Sequence, residues 1–502
     1  MKVLQEKIRQ ENFYEEDEFL QRLLKQYMDT ELFSYADKQL KNFGQRAAGP
    51  IDERARHTDR DGQPRLEQYN KFGEEVSRVW VNEGYRQTVK ETYETGIVGY
   101  VHKDIPEIAR KGSYTYSFAQ GYVLSQAEPG FYCPVTLTMA TAYLLDHYAD
   151  EDLKEAFLPH VLATGDTELY EGATFLTERQ GGSDVGANVV EAVQDGDHYH
   201  LYGEKYFASN AGMCGVAMVL ARMEDAPEGS RGLSLFLVPW EGNNLRIRRL
   251  KDKLGVRAVP SAEVEFTGAK AYLVGEADRG FYYMMEALNL SRICNAVASL
   301  GIMRRSYTEA LHYAEGRNAF GRRLVDFPMI QQSLRELRVK LEKETTAVFD
   351  MIQLYEKVTE SEATKEEEVL NRLLIAIMKK ESAEQSIDFA HEAIEMHGGN
   401  GYIEDFVTPR LLRDAQVLTV WEGTANILAL ELLRLVNKYE AHTLFVGMLR
   451  EKAEGSMKTQ IDAMEERLLN FSNLQQVEQE LEAKSLMKDM AWLYEDVVYE
   501  QL

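Results

Sequence analysis

The spacing of apolar residues changes twice along this chain. Leu20, Leu23, Leu24, Tyr27 and Met28 fall at the i, i+3, i+4, i+7 and i+8 positions of one helical stripe, and residues up to about 170 read as mostly helical. Polar loops are expected near Gly49-Pro50 and Gly62-Gln63-Pro64, where helix-breaking residues cluster. Beyond Gly172 the runs Tyr199–Tyr202, Gly215–Leu220, Leu233–Val238 and Ala262–Phe266 are short, rich in strand formers and punctuated by Gly, Asp, Asn and Pro, which predicts an antiparallel sheet. A helical period returns from about Phe281 to Leu435, interrupted at Gly398–Gly401, and a last helical segment runs from Asn437 to Leu502. In that tail Leu474, Val477, Leu481, Met487, Met490, Tyr494 and Val497 are expected on one apolar face. The acidic stretch Glu360–Glu368 reads as a solvated turn between helices.

Helices, then strands, then helices predict an α+β chain with separate layers, not an alternating βαβ sheet. The expected domains are an N-terminal helical domain over 1–171, a middle β-barrel or sheet over 172–280, a C-terminal helical bundle over 281–436, and an additional helical segment over 437–502.

Composition narrows the function. No run of about 18 uncharged apolar residues occurs, so no membrane-spanning helix is expected. Met1–Lys7 lacks a signal-peptide core, and Cys133, Cys214 and Cys294 are too scattered for a disulfide framework or a zinc site, so the expected location is a reducing cytoplasm. The histidines show no metal-ligand spacing, and no metal is expected. A net charge of −25 argues against a general affinity for nucleic-acid phosphates, which depends on cationic side chains displacing counterions.

Two segments carry candidate chemistry. Thr177-Glu178-Arg179-Gln180-Gly181-Gly182-Ser183-Asp184 can bring backbone N–H groups and hydroxyls close to an anionic oxygen, because Gly has no Cβ to hold it away. Trp421-Glu422-Gly423-Thr424-Ala425-Asn426 sets one carboxylate beside an aromatic and a flexible turn, as suits a general base whose pKa is raised by apolar surroundings. A G-x-G-x-x-G fingerprint in a βαβ unit is absent, which disfavours a Rossmann site.

Together these segments resemble the signatures of the acyl-CoA dehydrogenase family. Phe175-Leu176-Thr177-Glu178 with Gly181–Asp184 is similar to its first flavin motif, and Gly203-Glu204-Lys205-Tyr206-Phe207-Ala208-Ser209-Asn210 to its second. Arg317-Asn318-Ala319-Phe320-Gly321 resembles the family's R-x-x-F-G, and Glu395–Tyr402 its Q-x-x-G-G-x-G-[FY] turn, with glutamate in place of glutamine at 395. The motifs cover roughly residues 130–435, and the chain looks similar to the AidB-like (adaptive-response) branch, including its extra C-terminal helices.

The resemblance implies an FAD-dependent acyl-CoA dehydrogenase. Phe175, Thr177, Gly182, Ser183, Phe207, Ser209, Arg317, Phe320, Gly398, Gly399, Thr424 and Asn426 would bind the cofactor. Glu422 would be the base and Arg292 would line the active site; the other position used for the base in some members is Ser291 here, which has no carboxylate. The family pattern further implies an acyl-CoA substrate, an electron-transferring flavoprotein as acceptor, and a homo-oligomer built as a dimer of dimers, because the Arg317 and Gly398 motifs reach a neighbouring subunit's flavin. The alternative is an AidB-like flavoprotein that protects or binds nucleic acid. AidB does so through a basic C-terminal region, whereas Lys438–Leu502 holds 7 Lys and Arg against 13 Asp and Glu.

Overall fold

A computed structural model describes residues 11–453, 455 and 457–502; the Met1–Lys7 stretch read above for a signal core lies outside the described residues. The chain divides into two compact units. One comprises the chain up to Gly49, Tyr114–Ala127 and Arg292–Leu502; the other comprises Pro50–Ser113 and Glu128–Ser291.

The second unit is built on a seven-stranded sheet. Strands Leu245–Leu250, Ser261–Leu273, His198–Ser209, Glu191–Asp195, Val216–Met223 and Gly172–Phe175 lie side by side in that order. Leu233–Pro239 pairs with both Ser261–Leu273 and Val216–Met223, which closes five strands into a barrel-like ring. All four strands expected from their composition are present. The expectation of a purely antiparallel sheet is corrected: Gly172–Phe175 and Glu191–Asp195 both run parallel to Val216–Met223. That central strand is buried from Val216 to Ala221, as a strand covered on both faces must be. Helix Pro129–Tyr148, itself almost wholly buried, belongs to the same unit.

Two N-terminal expectations also change. Gly49-Pro50 is no loop: Ala47–Ile51 forms a π-helical turn that joins helix Thr30–Arg46 to helix Asp52–Arg60. Past Gly62, strands Arg65–Tyr69 and Glu75–Trp80 form an antiparallel hairpin where a loop was expected. Their side chains are mostly exposed, so the alternation that marks a half-buried strand is faint.

The first unit is helical. Its central elements are the long helices Gly280–Gly316 (from Arg292 onward), Pro328–Thr359 and Lys365–His397, followed by Thr408–Leu418 and Ala425–Tyr439. The acidic turn is shorter than expected, because Thr364 and Glu367 form a capping box and helix 365–397 begins inside the Glu360–Glu368 stretch. The tail adds Ala441–Ala453, Lys458–Ser472 and Gln476–Tyr499. Its apolar face is corrected in its first half: Val477 and Leu481 are exposed, and Leu474 precedes the helix. At 100° per residue Leu481 points away from the buried line of Gln479, Ala483, Met487, Met490, Tyr494 and Val497.

Polar groups complete the docking of the tail. The Lys340 Nζ lies 2.9 Å from Glu344, 3.1 Å from Glu381 and 2.7 Å from Glu495, so three buried carboxylates from three helices converge on one ammonium. Trp492 Nε1 donates to the same Glu381 at 2.6 Å.

Candidate active site

In the sheet unit the chain leaves strand Gly172–Phe175 and is pinned at once to the neighbouring motif. The Tyr206 N–H donates to the Thr177 carbonyl at 2.9 Å. Lys205 Nζ reaches under the loop to Glu178 at 2.7 Å and to the Leu176 carbonyl at 3.3 Å, while Glu178 also accepts from the N–H groups of Val189 and Val190. Lys205 and Glu178 are both buried, and burial pulls the lysine down to about 8 although Glu178 opposes it. This ion pair, which the motif comparison passed over as a functional element, joins the two glycine-bearing segments. A lysine at an inward-facing strand position, 27 residues from an equally anomalous buried glutamate, was the available signal.

Above that pair the loop presents exposed Gly182 and Ser183 and a half-buried Thr177. A Cβ at Gly182 would stand 2.6 Å from Thr177 Oγ1, so only glycine lets the loop close over the threonine hydroxyl. Phe207 is 56% exposed on strand His198–Ser209, and Ser209 Oγ lies 3.1 Å from Ser261 Oγ. Phe175 differs from these: its ring is buried against Trp240, which leaves only its backbone near the loop.

The carboxylate sits in the helical unit, in the turn between Thr408–Leu418 and Ala425–Tyr439. Glu422 holds a left-handed φ of +59° and Gly423 one of +104°. Two cations from two other helices hold this turn by its carbonyls: Arg292 Nε donates to Glu422 O at 3.0 Å, and Lys379 Nζ to Gly423 O at 2.8 Å. Desolvation raises the Glu422 carboxyl above its ordinary range, with Lys379 and then Arg292 opposing. Desolvation also draws Lys379 down to about 7, against the attraction of Glu422. Sequence comparison did not find Lys379. Its only local mark is a lysine within the run Leu373–Ala383, which is buried throughout. Thr424 and Asn426 are exposed at the start of helix Ala425–Tyr439, and Thr424 makes no side-chain cap.

A third group forms where helix Gly280–Gly316 ends. Tyr313 stacks on His397 at 4.1 Å between centroids and accepts a hydrogen bond from Asn400 Nδ2 at 3.1 Å, which ties this helix end to the glycine turn. Arg317 and Phe320 follow Tyr313 at this helix end, Gly398 and Gly399 follow His397, and all four are exposed. Phe320 is 97% exposed, an unusual position for a phenyl ring unless something covers it. Gly398 combines φ +59° with ψ −135°, a conformation suited to glycine, and beyond its chain neighbours nothing lies within 4 Å of where its Cβ would be.

Residues 173–269 match the acyl-CoA dehydrogenase middle domain, residues 278–436 the acyl-CoA dehydrogenase C-terminal domain, and residues 5–166 the AidB N-terminal domain. Acyl-CoA dehydrogenase family member 11 of Caenorhabditis elegans is 32% identical over 464 residues, which span 89% of this chain and 74% of that protein. The chain belongs to the acyl-CoA dehydrogenase family. Its AidB-like character is carried by the N-terminal match and by the AidB protein of Escherichia coli, 32% identical over 66% of this chain and 62% of AidB. Among solved structures, the apo form of Bd2924 superposes with a TM-score of 0.92 at 31% identity, covering 98% of both chains. ACDH-11 of C. elegans in complex with C11-CoA superposes with a TM-score of 0.89 at 28% identity, covering 97% of this chain and 87% of that one. Both likenesses therefore extend past residue 436 into the helical tail.

Members of this oxidoreductase family typically bind FAD. The residues present fit that group: a glycine loop in which a Cβ at Gly182 would crowd Thr177, an exposed Phe207 ring, an exposed Arg317, and Gly398 and Gly399 with open space where a Cβ would stand. Among the described residues no helix is long and apolar enough to cross a membrane.

Proposed function

We propose that this chain is an FAD-dependent acyl-CoA dehydrogenase that desaturates an acyl-CoA thioester between its α and β carbons. The observation that carries the proposal is Glu422, a carboxyl raised by burial in a turn held by two cations. Its raised pKa brings it closer to the acidity of a carbon next to a thioester, so it accepts the α-proton at lower cost than a solvated carboxylate. Arg292 and Lys379 hold the two successive carbonyls of Glu422 and Gly423, which limits the positions the carboxyl can adopt. FAD, when bound, supplies the acceptor for the hydride that leaves the β-carbon. Thr177, Gly182, Ser183, Phe207, Ser209 and the backbone at Phe175 would hold it on the sheet unit. Thr424 and Asn426 are further proposed cofactor-binding residues, and Arg317, Phe320, Gly398 and Gly399 would act on a neighbouring subunit's cofactor in a dimer of dimers. An electron-transferring flavoprotein is the proposed acceptor. The domain limits at 171, 280 and 436 are retained as part of this proposal, supported by the extents of the three family matches.

An acyl chain near the length carried by C11-CoA in the ACDH-11 complex belongs in the first substrate panel. Anaerobic addition of acyl-CoAs should bleach the flavin band of the purified protein, and Glu422→Gln should abolish bleaching while still binding acyl-CoA. A flavin-loaded protein that no acyl-CoA reduces would refute the dehydrogenase reading. The nucleic-acid reading has less support, because Arg450, Lys452 and Arg467 of the acidic tail are already paired with Asp462 and Glu465, Asp350, and Asp489.

A further inference from the structure

The hairpin formed by Glu191–Asp195 and His198–Ser209 turns at Gly196, whose φ is +64°. Its register sets Asp195 opposite His198, and His200 follows two residues on, so the two histidines share a face of the strand. Asp195 Oδ2 lies 3.2 Å from His200 Nε2 and 3.8 Å from His198 Nε2, and one donor atom from each of the three residues lies within 4.8 Å of the others.

The other ring nitrogens decide what these contacts mean. His200 Nδ1 is 3.1 Å from the Gly268 carbonyl, which can only accept, so Nδ1 carries the proton. His198 Nδ1 is 2.9 Å from the Asp197 carboxylate, and the same logic protonates it. A neutral imidazole has a single N–H. His200 Nε2 then turns a lone pair toward Asp195 Oδ2, an arrangement that requires either a second proton or a cation between them, and His198 Nε2 stands 3.8 Å from the same oxygen. In a tetrahedral zinc site with bonds of roughly 2.0–2.2 Å, adjacent donor atoms stand about 3.4 Å apart. The two separations from Asp195 Oδ2, 3.2 and 3.8 Å, bracket that spacing. Ligating histidines commonly donate their second N–H to a carbonyl or carboxylate, which fixes ring and tautomer, and Gly268 and Asp197 supply those acceptors. Lys270, cross-strand from His200, extends over the Tyr272 ring at 5.3 Å.

We propose that Asp195, His198 and His200 form a binding site for a divalent transition-metal ion of the zinc class, with a fourth position open to water. The ligands come from both strands of the hairpin, so a bound ion fastens its register. The three side chains keep part of their surface exposed, and the ion enters directly from solvent.

The test is calorimetric titration of the untagged full-length, flavin-loaded protein with Zn²⁺, beside Co²⁺ as a visible-absorbance probe. The expected result is one equivalent of Zn²⁺ bound, intense cobalt bands of a four-coordinate site, and affinity at least about tenfold weaker in His198→Ala, His200→Ala and Asp195→Asn. Because the chain has 10 histidines, the His198→Ala/His200→Ala double variant separates this site from adventitious binding. Equal zinc binding by the wild type and the double variant overturns the proposal. So does the absence of stoichiometric binding, which would assign the contacts to imidazolium–carboxylate pairs. Unchanged thermal melting of metal-free Asp195→Asn guards against a folding artefact.

Discussion

Two sites in the helical unit each bury a lysine among carboxylates, and the outcomes are opposite. Lys379 faces Glu422 in the company of Arg292, and burial brings it down to about 7. Burial also pulls on Lys340, but Glu344, Glu495 and Glu381 together outweigh it and raise the ammonium's pKa well above its ordinary value. The carboxyls respond differently too. At the tail, Glu344 and Glu495 are raised by desolvation and by neighbouring carboxylates, with Lys340 opposing. At the turn, Glu422 is raised by desolvation alone, with both cations opposing. Burial penalises charge at both sites, and the number of opposite charges within reach decides which groups keep theirs. The tail site is a fastening whose lysine is spent on three partners. At the turn, Arg292 and Lys379 each donate to a backbone carbonyl, and Glu422, raised by desolvation, is the group suited to take up a proton.

The largest effect should come from the turn. Glu422→Gln keeps the side chain's size but removes the base, and kcat/KM should fall by about 10²–10⁴ with acyl-CoA binding retained. A variant that still desaturates acyl-CoA at near wild-type rate would refute Glu422 as the base. At the tail, Lys340→Met strands three buried carboxylates, and stability should drop by about 3–5 kcal/mol, read by chemical denaturation. Arg317→Ala removes an exposed cation at the helix end that Tyr313 ties to the glycine turn, and should weaken FAD retention by roughly tenfold or more, measured as flavin lost on dialysis.

Lys379→Met sharpens the comparison through pH. In the unfolded chain Lys379 titrates near its ordinary value of about 10.4. Since it titrates near 7 in the folded chain, the unfolded state binds the extra proton between those limits, and stability rises with pH across that window. The variant should lose that rise. It should also move the Glu422 limb of the pH–rate profile to higher pH, because the leading cation opposing the carboxyl's upward shift is gone. The smallest change is expected from Ser209→Ala, which breaks the 3.1 Å contact with Ser261 and should cost about 0.5–1.5 kcal/mol of stability.

Much of the fold was legible because periodicity reports burial. Strand 198–209 alternates in burial, whereas strands 216–223 and 233–239 are buried almost throughout and were legible from their runs of strand formers bounded by turn residues. The hairpin at 65–80 was missed because few of its side chains are buried, and the π-turn at Ala47–Ile51 because Gly-Pro is ordinarily a breaker. The tail face went half wrong because exposed Val477 and Leu481 are apolar while Gln479 is buried, bonded to Asn437 and the Phe471 carbonyl.

By itself the sequence determined the order of helices, strands and helices, the family, and the short segments around Thr177, Phe207, Arg317, Gly398 and Glu422, since each of these is local. Only tertiary structure brought Lys205 to Glu178, Lys379 to Gly423, and Asp195 to His198 and His200. Those partners are set by strand register and by helices packing across gaps of many residues, and their chemistry exists only where burial and distance are shared.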